Sequence, residues 1–281
     1  MTVNMIKRSL AERLGNMEEA KSIIEYVTGF DRMEIQLKQD IRLTKVEEEK
    51  IEELAQKREQ GYPLQYLIGK WTFMDNDYYV GEGVLIPRDD TEVLIRSVLP
   101  YLQSIMRKKG EMKIIDLCSG SGIIPITLKK MFPYTEMHSL ELSEKAIPYL
   151  KKNINNLAPS IILHQGDLND LCNIFENNYF DLIISNPPYI RCDELPSLQK
   201  EVQFEPKMAL DGGNDGLVFY RSIIEKWSAK LKNGGMLAME LGENQFESVH
   251  RLMDEKGFTN IKGYLDLGNI QRAINGTFLL Q

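Results

Sequence analysis

Hydrophobic positions in the first quarter of the chain recur every three or four residues, which predicts amphipathic helices. Ile6, Leu10 and Leu14 show this spacing. A second, highly charged helix is predicted over residues 45–60, before a break at glycine and proline. We therefore expect residues 1–70 to form a small all-helical domain.

The next segment, residues 71–84, has a different pattern. Short aromatic runs surround the turn-forming residues Asp75, Asn76 and Asp77, which is typical of a β-hairpin. We expect this hairpin to link the helical domain to a larger domain that covers residues 85–281.

From residue 113 onward, apolar runs of strand length alternate with segments of helical periodicity. This alternation predicts an α/β domain with a Rossmann-like, doubly wound and mostly parallel sheet that carries helices on both faces. Seven strands are predicted, at residues 113–117, 136–142, 161–164, 181–185, 236–241, 260–264 and 273–280. The intervening helices are predicted at residues 122–130, 143–155, 216–232 and 245–256.

Composition excludes several classes of protein. Hydrophobic residues make up 43% of the chain and charged residues 27%, as in ordinary globular proteins, and no apolar run approaches the length of a membrane span. The charged N-terminus lacks a signal-peptide core and cysteines are few, so we expect a reduced, cytoplasmic setting. A net charge of −7 argues against stable nucleic-acid binding. The spacing of the three cysteines and three histidines predicts no metal site.

Asn186-Pro187-Pro188-Tyr189 follows a buried-strand pattern at residues 180–185, where active-site loops of parallel sheets lie. Proline has no N–H group, so the carbonyl oxygens here have few competing donors nearby. The Asn186 side chain adds another acceptor. Such a cluster can hold an NH2 group from two sides, although an ordinary turn would also use asparagine and proline.

A glycine-rich loop follows the first strand of the predicted sheet and consists of Cys118, Ser119, Gly120, Ser121 and Gly122. Small residues allow a ligand to approach the backbone closely. The phosphate-binding fingerprint G-x-G-x-x-G and the Walker lysine are both missing, so the loop need not hold a phosphate.

Three carboxylates are predicted near the ends of adjacent strands, namely Asp116, Glu141 and Asp167. An acid at the position of Glu141 can accept hydrogen bonds from ribose hydroxyls. Together, three acids suit a nucleoside that carries positive charge. S-adenosylmethionine, with its sulfonium and ammonium groups, therefore fits better than NAD.

These features resemble the class I S-adenosylmethionine-dependent methyltransferases, and more narrowly the PrmC/HemK family of release factor glutamine methyltransferases. The resemblance covers nearly the whole chain. Further segments that match this family are residues 61–69, 85–92, 205–220, 240–245 and 266–272.

The resemblance implies a role for each site residue. Residues 118–122 would wrap the methionine end of the cofactor, Glu141 would bind the ribose, and Asp167 with Leu168 would border the adenine. Asn186 would contact both cofactor and substrate. The chain departs from the family pattern at Cys118, Glu141 and Leu168, where glycine, aspartate and often an aromatic residue are usual, and at Asp89, where proline is usual.

The resemblance also implies the reaction, which is transfer of a methyl group to the side-chain nitrogen of the glutamine in the Gly-Gly-Gln motif of class 1 peptide chain release factors. The candidate catalytic residues are Asn186, Pro187 and Tyr189, and these residues with Pro188 would bind the glutamine. The helical domain would dock the release factor, and we expect a monomer that does not bind membranes.

Three alternatives remain open from the sequence. The tetrapeptide also occurs in DNA adenine methyltransferases, where a flipped base would stack on Tyr189. A sister family methylates glutamine in a ribosomal protein. A protein that only binds the cofactor and docks on translation proteins is the third alternative.

Overall fold

The computed structural model describes residues 1–279, so Leu280 at the end of the last predicted strand lies outside the described residues. The chain divides into two compact units. Unit 1 comprises residues 1–70 together with 199–204, and unit 2 comprises residues 71–198 and the chain from 205 onward.

Unit 1 is helical, as predicted. Its apolar core includes Ile6, Leu10, Ile23 and Leu54, which lie on the predicted helical stripes. Asp31 begins the third helix through a capping box, in which it exchanges hydrogen bonds with the residue three positions later. The five helices are α1 Val3–Leu14, α2 Met17–Thr28, α3 Arg32–Leu37, α4 Lys45–Glu59 and α5 Leu64–Ile68.

The short segment 199–204 completes unit 1 although it is distant in sequence. The Phe204 ring packs edge-on against Tyr62, with ring centroids 5.3 Å apart. Glu201 accepts hydrogen bonds from the Arg58 guanidinium at 3.0 Å, and the same guanidinium also binds Glu19. A bond between residues 143 positions apart has no local sequence signal.

Unit 2 contains a seven-stranded sheet in the spatial order β5-β4-β3-β6-β7-β9-β8. All pairs are parallel except those made by β9, which is antiparallel to both β7 and β8. The predicted fold class is therefore confirmed. The strands are β3 Lys113–Leu117, β4 Glu136–Glu141, β5 Ile162–Gln165, β6 Phe180–Ser185, β7 Leu231–Glu240, β8 Phe258–Leu265 and β9 Gln271–Phe278. A separate two-stranded hairpin is formed by β1 Lys70–Phe73 and β2 Asn76–Tyr79.

Helices cover both faces of this sheet. One apolar core joins the sheet to α6, α7 and α8, and a second joins its other face to α10 and α11. Every residue of β6 is buried, as expected for a central strand of such a sheet. The helices are α6 Thr91–Lys109, α7 Ile123–Met131, α8 Ile147–Leu157, α9 Leu168–Leu171, α10 Val218–Trp227 and α11 Phe246–Glu255.

The largest differences from the sequence prediction lie at two neighbouring element boundaries. The helix predicted at residues 216–232 ends at Trp227, and β7 begins at Leu231 rather than at residue 236. Leu231 pairs with Phe180, and the register then shifts before Met236 pairs with Leu182. The intervening Gly234 has a φ of 78°, a conformation that interrupts the alternating pattern on which strand prediction relies.

Asn153 on α8 ties the hairpin to the loop that follows β3. Its side chain is fully buried and makes three bonds, accepting from Tyr79 N at 2.7 Å and donating to Tyr79 O at 3.0 Å and Ser121 O at 2.8 Å. Because these backbone groups are satisfied by one amide, the segments that carry them are held in register.

We expect Asn153→Ala to lower the free energy of unfolding by about 1–3 kcal/mol, since it removes all three buried bonds. Urea unfolding followed by tryptophan fluorescence measures the change. The matched control is Asn155→Ala, at an exposed position of the same helix. Equal stabilities of the two variants would show that the buried amide does not hold these segments.

Candidate active site

A cavity of about 440 Å³ lies at the carboxyl edge of the parallel strands in unit 2. The carboxyl ends of β3, β4 and β6 converge there, which is where ligands bind in open α/β sheets. Of the residues predicted to bind cofactor or substrate, those that line the cavity are Cys118, Ser119, Gly120, Ser121, Glu141, Asp167, Leu168, Asn186 and Pro188.

The loop after β3 leaves open space above its centre. Gly120 has a φ of 54°, and a Cβ atom added there would meet no protein atom within 4 Å. Cys118 adopts the same left-handed region with a φ of 63°, although it carries a side chain. Gly122 has a different role, because a Cβ there would lie 2.6 Å from Leu150 Cδ1 on α8. Gly122 thus allows helix packing, and it is not among the residues that line the cavity.

Glu141 holds this loop in place. Its Oε2 accepts a hydrogen bond from Gly120 N at 2.7 Å, and its Oε1 accepts one from Ser143 N at 2.7 Å. Burial raises the pKa of Glu141, whereas the two backbone N–H groups oppose that shift. Each carboxylate oxygen has a second lone pair, so Glu141 can still accept hydrogen bonds from a ligand's hydroxyl groups. The bracing role was not predicted from the sequence.

Asp167 and Leu168 form another part of the wall. Asp167 is the N-cap of α9, and its Oδ1 accepts from Asn169 N at 2.7 Å. Leu168 is buried, and its carbonyl accepts a hydrogen bond from the Trp227 indole at 3.1 Å. These bonds fix this part of the wall, where the apolar Leu168 side chain follows the Asp167 carboxylate, which can accept hydrogen bonds.

Asp116 lies two positions before Cys118, and its carboxyl group is fully buried. Neither carboxyl oxygen accepts a hydrogen bond of ordinary geometry from the described residues. Burial raises the pKa of this group well above its ordinary value. The ionised form of so deeply buried an acid is costly unless a positive charge lies nearby. A cationic ligand group at the adjacent loop would supply that charge.

Part of the tetrapeptide 186–189 lines the cavity, and part bonds to neighbouring segments. Asn186 and Pro188 line the cavity, whereas Pro187 and Tyr189 are not among its lining residues in the described chain. The Asn186 Nδ2 lies 3.4 Å from Thr91 Oγ1. The Tyr189 hydroxyl donates to Glu240 Oε1 at 3.3 Å.

Sequence reasoning missed another part of the cavity wall. Arg88 lines it and forms an ion pair with Glu205, whose Oε2 also accepts from Ile86 N at 2.9 Å. Burial raises the pKa of Glu205, and the Arg88 charge opposes that shift. The segments that contain these residues matched the family motifs, but pattern alone gave them no position in a site.

Comparison with known proteins identifies the relatives of this chain. The family described as "PrmC N-terminal domain" matches residues 3–69, and the family described as "Methyltransferase small domain" matches residues 99–203. A protein of Thermodesulfovibrio yellowstonii named "Release factor glutamine methyltransferase" is 36% identical over 262 residues, which cover 92% of this chain and 91% of the relative. The chain belongs to the release factor glutamine methyltransferase family. Proteins with the same name from Clostridium acetobutylicum and Bordetella pertussis are 34% and 31% identical and cover 92% of the chain, and 90% and 93% of those relatives.

Solved structures agree on the fold. The structure titled "Crystal structure of hMettl16 catalytic domain in complex with MAT2A 3'UTR hairpin 1" has a TM-score of 0.56 and covers 91% of both chains at 15% identity. At this identity the likeness concerns the methyltransferase fold alone. The predicted resemblance to the family is thus confirmed by the relatives, and the predicted fold by this structure.

As a member of this family, the chain is an S-adenosylmethionine-dependent methyltransferase, and the cavity suits that cofactor. The open space above Gly120, the lone pairs of Glu141 and the buried Asp116 carboxyl fit a nucleoside with a cationic amino acid end. Among residues 1–279, no group of His, Cys, Asp and Glu could hold a metal ion. None of the helices described in this range is long and apolar enough to cross a membrane.

We expect Glu141→Gln to weaken S-adenosylmethionine binding roughly 10- to 100-fold, because hydrogen bonds to a charged group are lost. The glutamine NH2 would also face a backbone N–H of the loop. Isothermal titration calorimetry measures the affinity. Glu144→Gln, at an exposed position three residues away, is the matched control. Unchanged affinity in Glu141→Gln would remove Glu141 from the cofactor site.

Proposed function

We propose that this chain transfers the methyl group of S-adenosylmethionine to the side-chain amide nitrogen of the glutamine in the Gly-Gly-Gln motif of class 1 peptide chain release factors. The relatives named "Release factor glutamine methyltransferase" support this substrate, since they match nearly the full length of the chain.

One observation carries the proposal. Asn186 and Pro188 line the same cavity as the loop around Gly120 and the acids Glu141 and Asp167. A cofactor held by that loop would therefore lie next to the tetrapeptide. Proximity of this kind contributes roughly 7–11 kcal/mol to well-oriented reactions.

An amide nitrogen is a weak nucleophile because its lone pair is delocalised into the carbonyl group. In our proposal the Asn186 Oδ1 and the Pro187 carbonyl each accept one N–H of the substrate amide, which orients the nitrogen. These acceptors also stabilise the positive charge that develops on the nitrogen. When bound, the cofactor supplies an activated methyl group on its sulfonium.

Proton transfer does not require a strong base in this scheme. As the N–C bond forms and the S–C bond breaks, the nitrogen becomes acidic and its extra proton can leave to water. None of the three histidines is among the cavity-lining residues of the described chain. His138 and His164 instead bond to each other, with 2.9 Å between Nδ1 and Nε2.

Tyr189 has a supporting position in this proposal. Its hydroxyl is bonded to Glu240, and its carbonyl accepts from Gln245 Nε2 at 2.9 Å. These bonds fix the tetrapeptide at its C-terminal end. Packing of the Tyr189 ring against the substrate amide remains the prediction made from the sequence.

We also propose that residues 1–70 dock the release factor and that the enzyme acts as a cytoplasmic monomer. The net charge of −7 supports a protein substrate over a nucleic acid. Gel filtration of the protein alone tests the monomeric state.

The direct test is incubation of the purified protein with S-adenosylmethionine and a release factor, followed by mass spectrometry of the peptide that contains Gly-Gly-Gln. We expect one added methyl group on the glutamine. A release factor with glutamate in place of that glutamine is the control. Methylation of DNA, RNA or a ribosomal protein in parallel reactions, with none of the release factor, would overturn the proposal.

We expect Asn186→Ala to lower kcat by roughly 100-fold or more, because one of the two acceptors that orient the nucleophile is removed. Affinity for S-adenosylmethionine should change much less, since Glu141 and the loop remain. Steady-state kinetics and calorimetry together measure both effects. A variant with nearly normal kcat would exclude Asn186 from the reaction.

A further inference from the structure

Glu240 is a buried acid beside the tetrapeptide that the proposed reaction does not use. It is the last residue of β7, at the same sheet edge as the cavity, and only 1% of it is exposed. Each carboxylate oxygen is bonded to one hydroxyl group. Thr91 Oγ1 donates to Oε2 at 2.7 Å, and the Tyr189 hydroxyl donates to Oε1 at 3.3 Å.

The charge state of Glu240 decides the direction of these bonds. An ionised carboxylate can only accept, so both hydroxyl groups must donate to it. A threonine hydroxyl has a single hydrogen. Once Thr91 has given its hydrogen to Glu240, its oxygen can only accept from the third group, Asn186.

Asn186 must then turn its NH2 side towards Thr91, and the 3.4 Å contact between Nδ2 and Oγ1 has this arrangement. The two ends of a carboxamide are nearly identical in shape, so packing alone selects weakly between them. With Nδ2 committed to Thr91, Oδ1 is the atom that remains for a ligand in the cavity.

We propose that Glu240 is a positioning residue that acts through Thr91 to select the orientation of the Asn186 carboxamide, so that its oxygen faces the acceptor amide. The inference rests on the proposed function, because an oxygen acceptor is needed only if the substrate presents an NH2 group.

The surroundings of Glu240 allow its charge to change near neutral pH. The pKa of Glu240 is raised to about 7, mainly by burial and also by the Asp90 charge, although Thr91, Tyr189 and Arg272 oppose the shift. Arg272 is itself paired with Asp266 at 2.9 Å and lies 3.4 Å from Asp90. A protonated Glu240 could donate to Thr91, and the bond directions described above would then no longer be enforced.

The backbones of the tetrapeptide and of Glu240 itself have supports that do not depend on this carboxylate. Gln245 Nε2 donates to the Tyr189 carbonyl, and the Tyr220 hydroxyl donates to the Glu240 backbone carbonyl at 2.9 Å. Replacement of the carboxylate by an amide of the same size therefore leaves these bonds in place. An effect of such a variant on the reaction would come from bond direction rather than from loss of the loop.

Two variants test the inference in the release factor assay. Glu240→Gln can donate to Thr91 and so reverse the bonds, and Thr91→Val removes the hydroxyl at nearly constant volume. Each should lower kcat roughly 100-fold while the affinity for S-adenosylmethionine stays within a few-fold. Thr91→Ser keeps the hydroxyl and should recover most of the rate. Ser97→Ala, which removes a buried hydroxyl of the same helix that donates to Leu94 O, is the control for stability.

The pH profile gives a readout that a purely structural role would not change. In the unmodified enzyme kcat should rise with pH through about 7, as Glu240 loses its proton. This rise should be absent in Glu240→Gln, whose residual rate is independent of pH over that range. Normal kcat in both Glu240→Gln and Thr91→Val, on an enzyme that methylates the release factor, would overturn the inference and leave the proposed function intact.

A measurement without substrate separates the two proposals fully. The side-chain NH2 signals of Asn186 in a nitrogen-15 correlation spectrum are those missing from Asn186→Ala. If Nδ2 donates to Thr91, these signals should shift in Thr91→Val and should titrate near pH 7 in the unmodified protein only. Signals that respond to neither change would contradict the inference whatever the substrate is.

Discussion

Buried carboxylates whose oxygens are occupied by fixed donors determine the shape of this site. Glu141 accepts two backbone N–H groups and thereby holds the loop after β3 against the end of β4. Glu205 accepts a backbone N–H next to Arg88, which lines the cavity, and Glu240 accepts two hydroxyl groups beside the tetrapeptide. Since these donors offset the cost of burying Glu141, Glu205 and Glu240, each acid also restricts the segments that bond to it.

The parallel sheet explains why these acids can act together. Strands β3, β4, β6 and β7 run in one direction, so their carboxyl ends and the loops that follow lie at one edge. Residues as distant in sequence as Thr91 and Glu240 meet there at hydrogen-bonding distance. Binding of a cofactor and presentation of an acceptor can therefore be built from separate segments on one rigid support.

Much of this could be predicted from the sequence because the signals are local. The strand periods placed all seven strands of the large sheet, and two residues of the predicted tetrapeptide, Asn186 and Pro188, line the cavity at its edge. The wall at Arg88 and Glu205, the bracing role of Glu141 and the bond between Thr91 and Glu240 could not be predicted. Each depends on a contact across the fold, for which spacing along the chain carries no information.

The return of residues 199–204 to unit 1 has a consequence for dissection of the chain. Phe204 and Glu201 take their partners from residues 62 and 58, so a cut at residue 70 would separate a helical bundle from a segment that completes it. The chain passes between the two units three times, after residues 70, 198 and 204, rather than once. A gene fragment that begins after the hairpin would therefore encode Phe204 and Glu201 without their partners. Exchange of helical bundles between relatives would require transfer of both residues 1–70 and residues 199–204.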